Sequence, residues 1–171
     1  MNGNPAAIPG QTAHRYDLRV YYEDTDAGGI VYHANYLRFA ERARTEALRA
    51  LGIPHAVLVR DHHRMFVVRR VKLDYLRPAR LDEPLSVLTD PRALGAASIR
   101  LRQDIVGVEG VCAAALIDLA CVSTETGRPA RIPPAWRDAL KGWEQAAPPG
   151  PEPLGGAAGE DGTKGGSAAG D

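Results

Sequence analysis

The sequence lacks net charge: 21 lysines and arginines balance 21 aspartates and glutamates in 171 residues. No overall field draws the chain to nucleic acid or to an acidic membrane, which excludes a binder with a strongly basic footprint. Long apolar runs are lacking as well. The longest in the core, Val111 to Ile117, falls far short of the roughly 20 residues that span a bilayer, so membrane insertion is not expected. The opening MNGNPAAIPG has neither a basic n-region nor an apolar h-region, and no secretory signal is expected. Cysteine is scarce. Cys112 and Cys121 lie nine apart in one strand-like stretch and are expected on opposite faces, as small core residues rather than a disulfide or metal pair. Together these absences describe a soluble cytoplasmic protein.

Both ends lack side chains that could be buried. Residues 1–13 and 146–171, the latter containing PPGPEPLGGAAGEDGTKGGSAAGD, are rich in Gly, Ala and Pro and read as disordered tails. The folded unit is expected over residues 14–145, long enough for one domain with a core.

Within that unit, Tyr16 to Glu23 alternates, with Leu18, Val20 and Tyr22 on one side, as a half-buried strand does. From Asn35 to Leu51, apolar residues at Tyr36, Ala40, Ala43, Ala47 and Leu51, joined by Leu37 and Leu48, form one helical face. Arg42, Arg44, Glu46 and Arg49 take the remaining surface, and Gly52 and Pro54 end the helix. A connector with His55, His62 and His63 reads as a solvated loop. Four strand-like segments follow, 64–76, 84–93, 96–106 and 110–123, separated by RPARLDEP, Gly95 and GVEG. A last helix is expected from Pro134 to Gln145. One strand, one long helix and an antiparallel meander of four make an α+β layer, with the sheet curling round the helix.

Between the first strand and the helix stands YYEDTDAGGIVYHANY, residues 21–36. Acids are poor strand formers, and like charges this close repel, so Glu23, Asp24 and Asp26 need a reason to be here. Gly28–Gly29 admits positive φ and lets a ligand approach the backbone. The first N–H groups of the following helix have no intrahelical acceptor and carry partial positive charge. The segment can therefore hold an anion, or a carbonyl oxygen becoming one, beside a carboxylate able to attack that carbonyl or to activate water. On residue types alone, an Asx-turn or a helix cap explains either aspartate as well. The spacing does not match an EF-hand metal loop.

The stretch RVYYEDTDAGGIVYHANYLRFAERARTEALR resembles the opening of hotdog-fold acyl-CoA thioesterases of the 4-hydroxybenzoyl-CoA thioesterase type, and most closely their branch associated with the Tol–Pal envelope system. The likeness continues through FVVRRVKLDYLRPARLDEPL and covers most of the domain but neither tail. The family pattern aromatic-x-D-x-D-x-x-G-x-V-x-x-x-x-Y is met by Tyr22, Asp24, Asp26, Gly29, Val31 and Tyr36. The resemblance implies a five-stranded antiparallel sheet wrapped round a central helix. It implies hydrolysis of an acyl-CoA or acyl carrier protein thioester, with no metal or redox cofactor. Asp26 becomes the catalytic carboxylate, and the backbone N–H of His33 the donor that polarises the thioester carbonyl. The His33 imidazole could add a bond to substrate or orient Asp26, with Tyr22, Asp24, Gly29 and Tyr32 in support.

Weaker substrate-binding candidates are Arg69 and Arg70, expected on opposite faces of one strand, and Arg92 and Ser98. The last two lie in PRALGAAS, at a turn where related sequences carry more basic residues near the nucleotide of coenzyme A. That departure leaves Arg77, Arg80 or another subunit to meet the nucleotide. Glu41, mid-helix, reads as structural, held by polar partners across the helix–sheet contact. Asp118 interrupts an apolar strand and needs a partner. An unpaired sheet edge predicts a homodimer or homotetramer joined edge to edge, with Asp26 beside the second subunit. The competing reading is a non-catalytic acyl- or partner-binding hotdog protein of the Tol–Pal system.

Overall fold

The computed structural model describes residues 13–146; the expected tails lie outside them, save for Ala13 and Ala146. The described chain runs β1 (His14–Arg19), α1 (Asn35–Ala50), α2 (His55–His62), β2 (Arg64–Tyr75), β3 (Pro84–Leu94), β4 (Ser98–Gly107), β5 (Gly110–Ser123) and α3 (Pro134–Ala146). The strands form one antiparallel sheet in the order β1-β3-β4-β5-β2. β1 and β2 are its edges. The α+β layer is the one that the strand and helix order predicts, but the expected meander of four is a meander of three. β3, β4 and β5 run side by side, while β2 pairs with β5 instead of β3, because both sides of β3 are taken by β1 and β4.

The sheet curls round α1, which buries Tyr36, Phe39, Ala40, Ala43, Ala47 and Leu48. The three alanines let the helix lie close to the strands, among Ile99, Leu101, Ile105 and Ile117. α3 closes the same core with Trp136, Leu140 and Trp143. Pro91 sits inside β3 without breaking the sheet because β1 reaches only to Thr89, and because a bulge follows at Arg92.

Four expectations from periodicity change. The first strand stops at Arg19, because Tyr22–Asp24 form a 3₁₀ turn closed by Tyr21 and Thr25. The histidine connector is helical, since Val57 and Leu58 pack into the core and Pro54 opens the turn. Arg44 is not on the surface. It is 8% exposed and donates to Gln103 Oε1 at 2.9 Å, while Gln103 Nε2 donates to Ala40 O and Thr89 Oγ1. Burial pushes the Arg44 pKa down, and Glu41 opposes that shift. Glu41 itself is exposed, and it accepts a local bond from Thr45 Oγ1 at 3.0 Å.

Bulges explain the rest. Between Ile105 and Val106 the β4–β5 register shifts, so Cys112 is an extra residue and Val111 turns outward at 39% exposure. Cys112 and Cys121 are both free and buried, in two separate core clusters. A second bulge makes Arg69 the extra residue in β2, so strict alternation fails there and both Arg69 and Arg70 are exposed. Asp118 finds its partner across the strand: Arg100 grips it with two bonds of 2.6 and 3.1 Å and holds its carboxyl below the usual range.

Candidate active site

The segment from Val20 to Ala34 crosses the end of the sheet where β1 stops and β3 begins, Arg19 pairing with Pro84. Asp24 anchors it. Its carboxylate is buried, 6% exposed, and accepts the Tyr21 N–H at 3.0 Å. Its carbonyl accepts the Tyr32 N–H at 2.8 Å and Asn35 Nδ2 at 2.9 Å. One residue therefore ties together the start of the turn, its return and the first residue of α1.

Asp26 is exposed. Its Oδ1 accepts the Gly28 N–H at 2.8 Å in an Asx-turn, and no bond to its Oδ2 is made among the described residues. The main chain closes a tight loop behind it, with Asp26 N donating to Ile30 O at 2.9 Å and Gly29 N to Asp26 O at 3.0 Å. Both glycines are used, for different reasons. Gly29 stands at φ +71°, whereas a Cβ on Gly28 would meet Asp26 Oδ1 at 3.1 Å.

α1 then begins with no side-chain cap, Ala34 standing where a Ser or Asp would ordinarily satisfy the first N–H groups. Among the described residues the backbone N–H groups of His33 and Ala34 donate to nothing. They are the orphan donors of a helix N-terminus, held next to the Asp26 loop. The His33 side chain is exposed, its ring 4.3 Å from that of Tyr32, and no hydrogen bond joins it to Asp26 among the described residues. Tyr22, 82% exposed, contributes its carbonyl to Thr25 N and Oγ1.

Beside this turn a cavity of about 350 Å³ is lined by Ile30, Val31, His33, Tyr36, Tyr75, Leu76, Arg77 and Pro78. Asp26 is exposed and is not part of that lining. The pattern of the sequence pointed to His33 and Tyr36 but passed over Tyr75. The only signal for it was an aromatic residue closing a strand directly before a turn.

The weaker candidates lie elsewhere in the same chain. Arg70 stands in a cross-strand row with Asp118 and Arg100, five residues and about 17 Å along β2 from Tyr75. Arg92 is bound to Asp90 at 3.5 Å, and Ser98 opens β4. Both belong to the far end of the sheet, ten or so residues along β3 from its start, or about 30 Å. That far end also holds an open cleft of about 570 Å³ whose walls include His62, Arg64, Arg131 and Arg137, with Asp138 as the one acid. The structure thus gathers Tyr22, Asp24, Asp26, Gly29, Tyr32 and His33 at one end and leaves Arg69, Arg70, Arg92 and Ser98 away from them.

Known thioesterases resemble this chain over most of its described residues. An acyl-CoA thioesterase YbgC from Haemophilus influenzae is 41% identical over 118 residues, covering 69% of this chain and 87% of that protein. The acyl-CoA thioesterase YbgC of Helicobacter pylori is 34% identical over 131 residues, covering 71% of this chain and 96% of that one. The crystal structure of a probable thioesterase from Bartonella henselae superposes with a TM-score of 0.68 at 36% identity, over 71% of this chain and 99% of its own. The profile of the thioesterase-like superfamily matches residues 20–140, a span that takes in the Asp26 turn, α1 and all but the first strand of the sheet, and the chain belongs to that superfamily and carries its hotdog fold.

Proposed function

We propose that the protein is a homodimeric acyl-CoA thioesterase that cleaves its substrate to a free acid and coenzyme A, with Asp26 as the reacting carboxylate. The observation that carries this reading is the union, within one turn, of N–H groups at His33 and Ala34 with a carboxylate, the N–H groups lacking acceptors and one carboxylate oxygen lacking a donor among the described residues. The naming of the YbgC relatives as acyl-CoA thioesterases supports coenzyme A as the thiol carrier.

In the proposed chemistry the thioester carbonyl oxygen lies against the turn's N–H donors, which stabilise the negative charge it gains under attack. If Asp26 attacks, its oxygen forms a bond to the carbonyl carbon, the C–S bond breaks, and coenzyme A leaves as thiolate. Water then hydrolyses the mixed anhydride and regenerates the carboxylate. If Asp26 is a general base, it takes a proton from water, whose oxygen forms the new C–O bond directly. The C–S bond breaks, coenzyme A leaves as thiolate, and the proton held by Asp26 passes to that sulfur and restores the carboxylate.

β2 supports the dimer. It is 12 residues long, has β5 as its one neighbour among the described residues, and exposes Val68, Val71 and Tyr75. An edge of this length invites pairing with a second copy. A two-fold axis pairs two copies of one strand antiparallel, which sets the far end of one subunit beside the Asp26 turn of the other. The arginines around the β3–β4 turn then become the groups available to the phosphates of coenzyme A. Among the described residues no helix is long and apolar enough to cross a membrane. Buried free thiols agree with a reducing compartment, and the cytoplasm is the proposed location.

A panel of acyl-CoA and acyl carrier protein thioesters, scored by thiol release, tests the reading. Thiol release with saturation supports it. Loss of enoyl absorbance without thiol release indicates a hydratase instead. Silence across the panel leaves an acyl- or partner-binding protein of the Tol–Pal system. Single turnover in ¹⁸O-water then tests the nucleophilic route: label in the Asp26 carboxylate requires that the mixed anhydride formed and that water attacked its aspartyl carbon.

A further inference from the structure

Tyr75 closes β2 and lies outside the motif, yet its hydroxyl donates to the carbonyl oxygen of His33 at 2.9 Å. The bond ties the edge strand to the turn that carries the free N–H groups. It acts on a particular peptide, the one between His33 and Ala34. That peptide is planar and trans, so fixing the direction of its carbonyl fixes its N–H in the opposite direction. A hydrogen bond accepted by a carbonyl also polarises the amide and strengthens its N–H as a donor. Tyr75 therefore governs both the aim and the strength of the Ala34 N–H.

The surroundings hold Tyr75 in this role. Its ring meets Tyr36 edge-on at 5.6 Å. Tyr36 Oη in turn accepts the Ala79 N–H at 2.9 Å, and Ala79 O accepts the Val31 N–H at 2.9 Å. Turn, helix start and the chain leaving β2 are thus clamped on both sides of the 350 Å³ cavity that Tyr75 and His33 line together. Tyr75 is 51% exposed in the single chain. The ring's contact with Tyr36 and the bond to His33 O together hold the side chain at the turn.

We infer that Tyr75 is a positioning residue of the hydrolysis, orienting the His33–Ala34 peptide so that its N–H meets the developing oxyanion. The inference rests on the reading of the turn as an oxyanion site. It also links catalysis to assembly, because Tyr75 lies on the edge strand proposed to pair with a second subunit.

Tyr75→Phe, assayed in the full-length protein with the acyl-CoA that performs best in the panel, provides the test. The ring and its contacts remain and one hydroxyl is lost. The result expected is a fall in kcat of about 10-fold with KM and melting temperature held, since the bond acts on the transition state and not on ground-state binding. The Ala34 amide resonance should shift in the same variant, while amides in the middle of β2 stay in place. An unchanged kcat, or a change confined to KM, overturns the inference. Asp26→Asn, assayed in parallel, separates the two claims. An inactive Asp26→Asn beside a fully active Tyr75→Phe sinks the positioning role alone, whereas an active Asp26→Asn sinks the reading beneath it.

Discussion

The two halves of the segment between β1 and α1 are built in opposite ways. In the first half, Val20 and Asp24 are buried, and Asp24 alone engages Tyr21, Tyr32 and Asn35. In the second half, Asp26 and His33 are exposed, Gly29 takes a positive φ, and the helix starts without a cap. Two aspartates two residues apart thus have separate duties. One fixes the loop in place, and the other is left open to act. An uncapped helix start costs about 1 kcal/mol relative to a well-capped one. That loss of stability is tolerable only because the first half and Tyr75 already determine where the second half stands.

The contrast is most sharply broken at Asp26. Asp26→Asn keeps the size and the Asx-turn acceptor but removes basicity and nucleophilicity, so kcat should fall by at least about 100-fold. The melting temperature should hold, since the group is exposed. Turnover at the wild-type rate would end the assignment. Asp24→Ala should do the reverse. Loss of the buried acceptor of the Tyr21 N–H should cost about 1–3 kcal/mol in urea unfolding, with any loss of activity following from a displaced turn. If Asp24→Ala proves as stable as wild type, the division of labour between the two acids fails.

His33→Ala keeps the backbone N–H and removes the imidazole. The ring lines the cavity and is bonded neither to Asp26 nor to another described side chain, so it is free to meet substrate. A fall in kcat/KM of about 10-fold is expected. Near-normal kinetics would leave the backbone as the sole donor at this position.

The smallest effect should come from outside the segment. Burial holds the His55 imidazole below its usual pKa, against the raising influence of Glu41, and its Nε2 has no partner among the described residues. The folded state therefore binds that proton less readily than the unfolded state does. Stability should be complete above the ordinary imidazole value of about 6.5 and decline as pH falls through it. His14 shifts in the same direction and adds to the trend. His55→Gln should flatten part of the decline in stability between neutral and mildly acid pH, by well under about 1 kcal/mol for a partly buried ring, with kcat at pH 7 unchanged. A slope identical to wild type would show that the imidazole is not desolvated as the fold suggests.

Periodicity made much of this legible. α1 and the strands β2 to β5 fall where the apolar pattern placed them, within a few residues, because each presents one face to a core. That β2 pairs with β5 and not with β3 was not legible, since alternation marks a strand but not its neighbour. The misreadings cluster where periodicity itself is interrupted. Arg69 and Cys112 are bulge residues, so counting by twos gave wrong faces on either side of them. Arg44 sits at a polar helical position but is drawn inward by Gln103, a partner 59 residues away that no local pattern reveals. The histidine connector looked polar, yet Leu58 was enough to seat it as a helix.

The sequence by itself determined that a carboxylate, two glycines and a helix start would meet in one turn, because these lie within about ten consecutive residues and local geometry brings them together. It also determined the strand and helix order, which the alternation and the turn residues encode. The tertiary structure alone decided which aspartate is buried, since that depends on whether Tyr32 and Asn35 fold back over Asp24. It decided that Tyr75, 42 residues beyond His33, would grip the turn. It also decided that the arginines of the β3–β4 end would lie a sheet's length from Asp26 in their own chain. Each of these depends on contacts between distant parts of the chain, which form only once the sheet has closed round the helix.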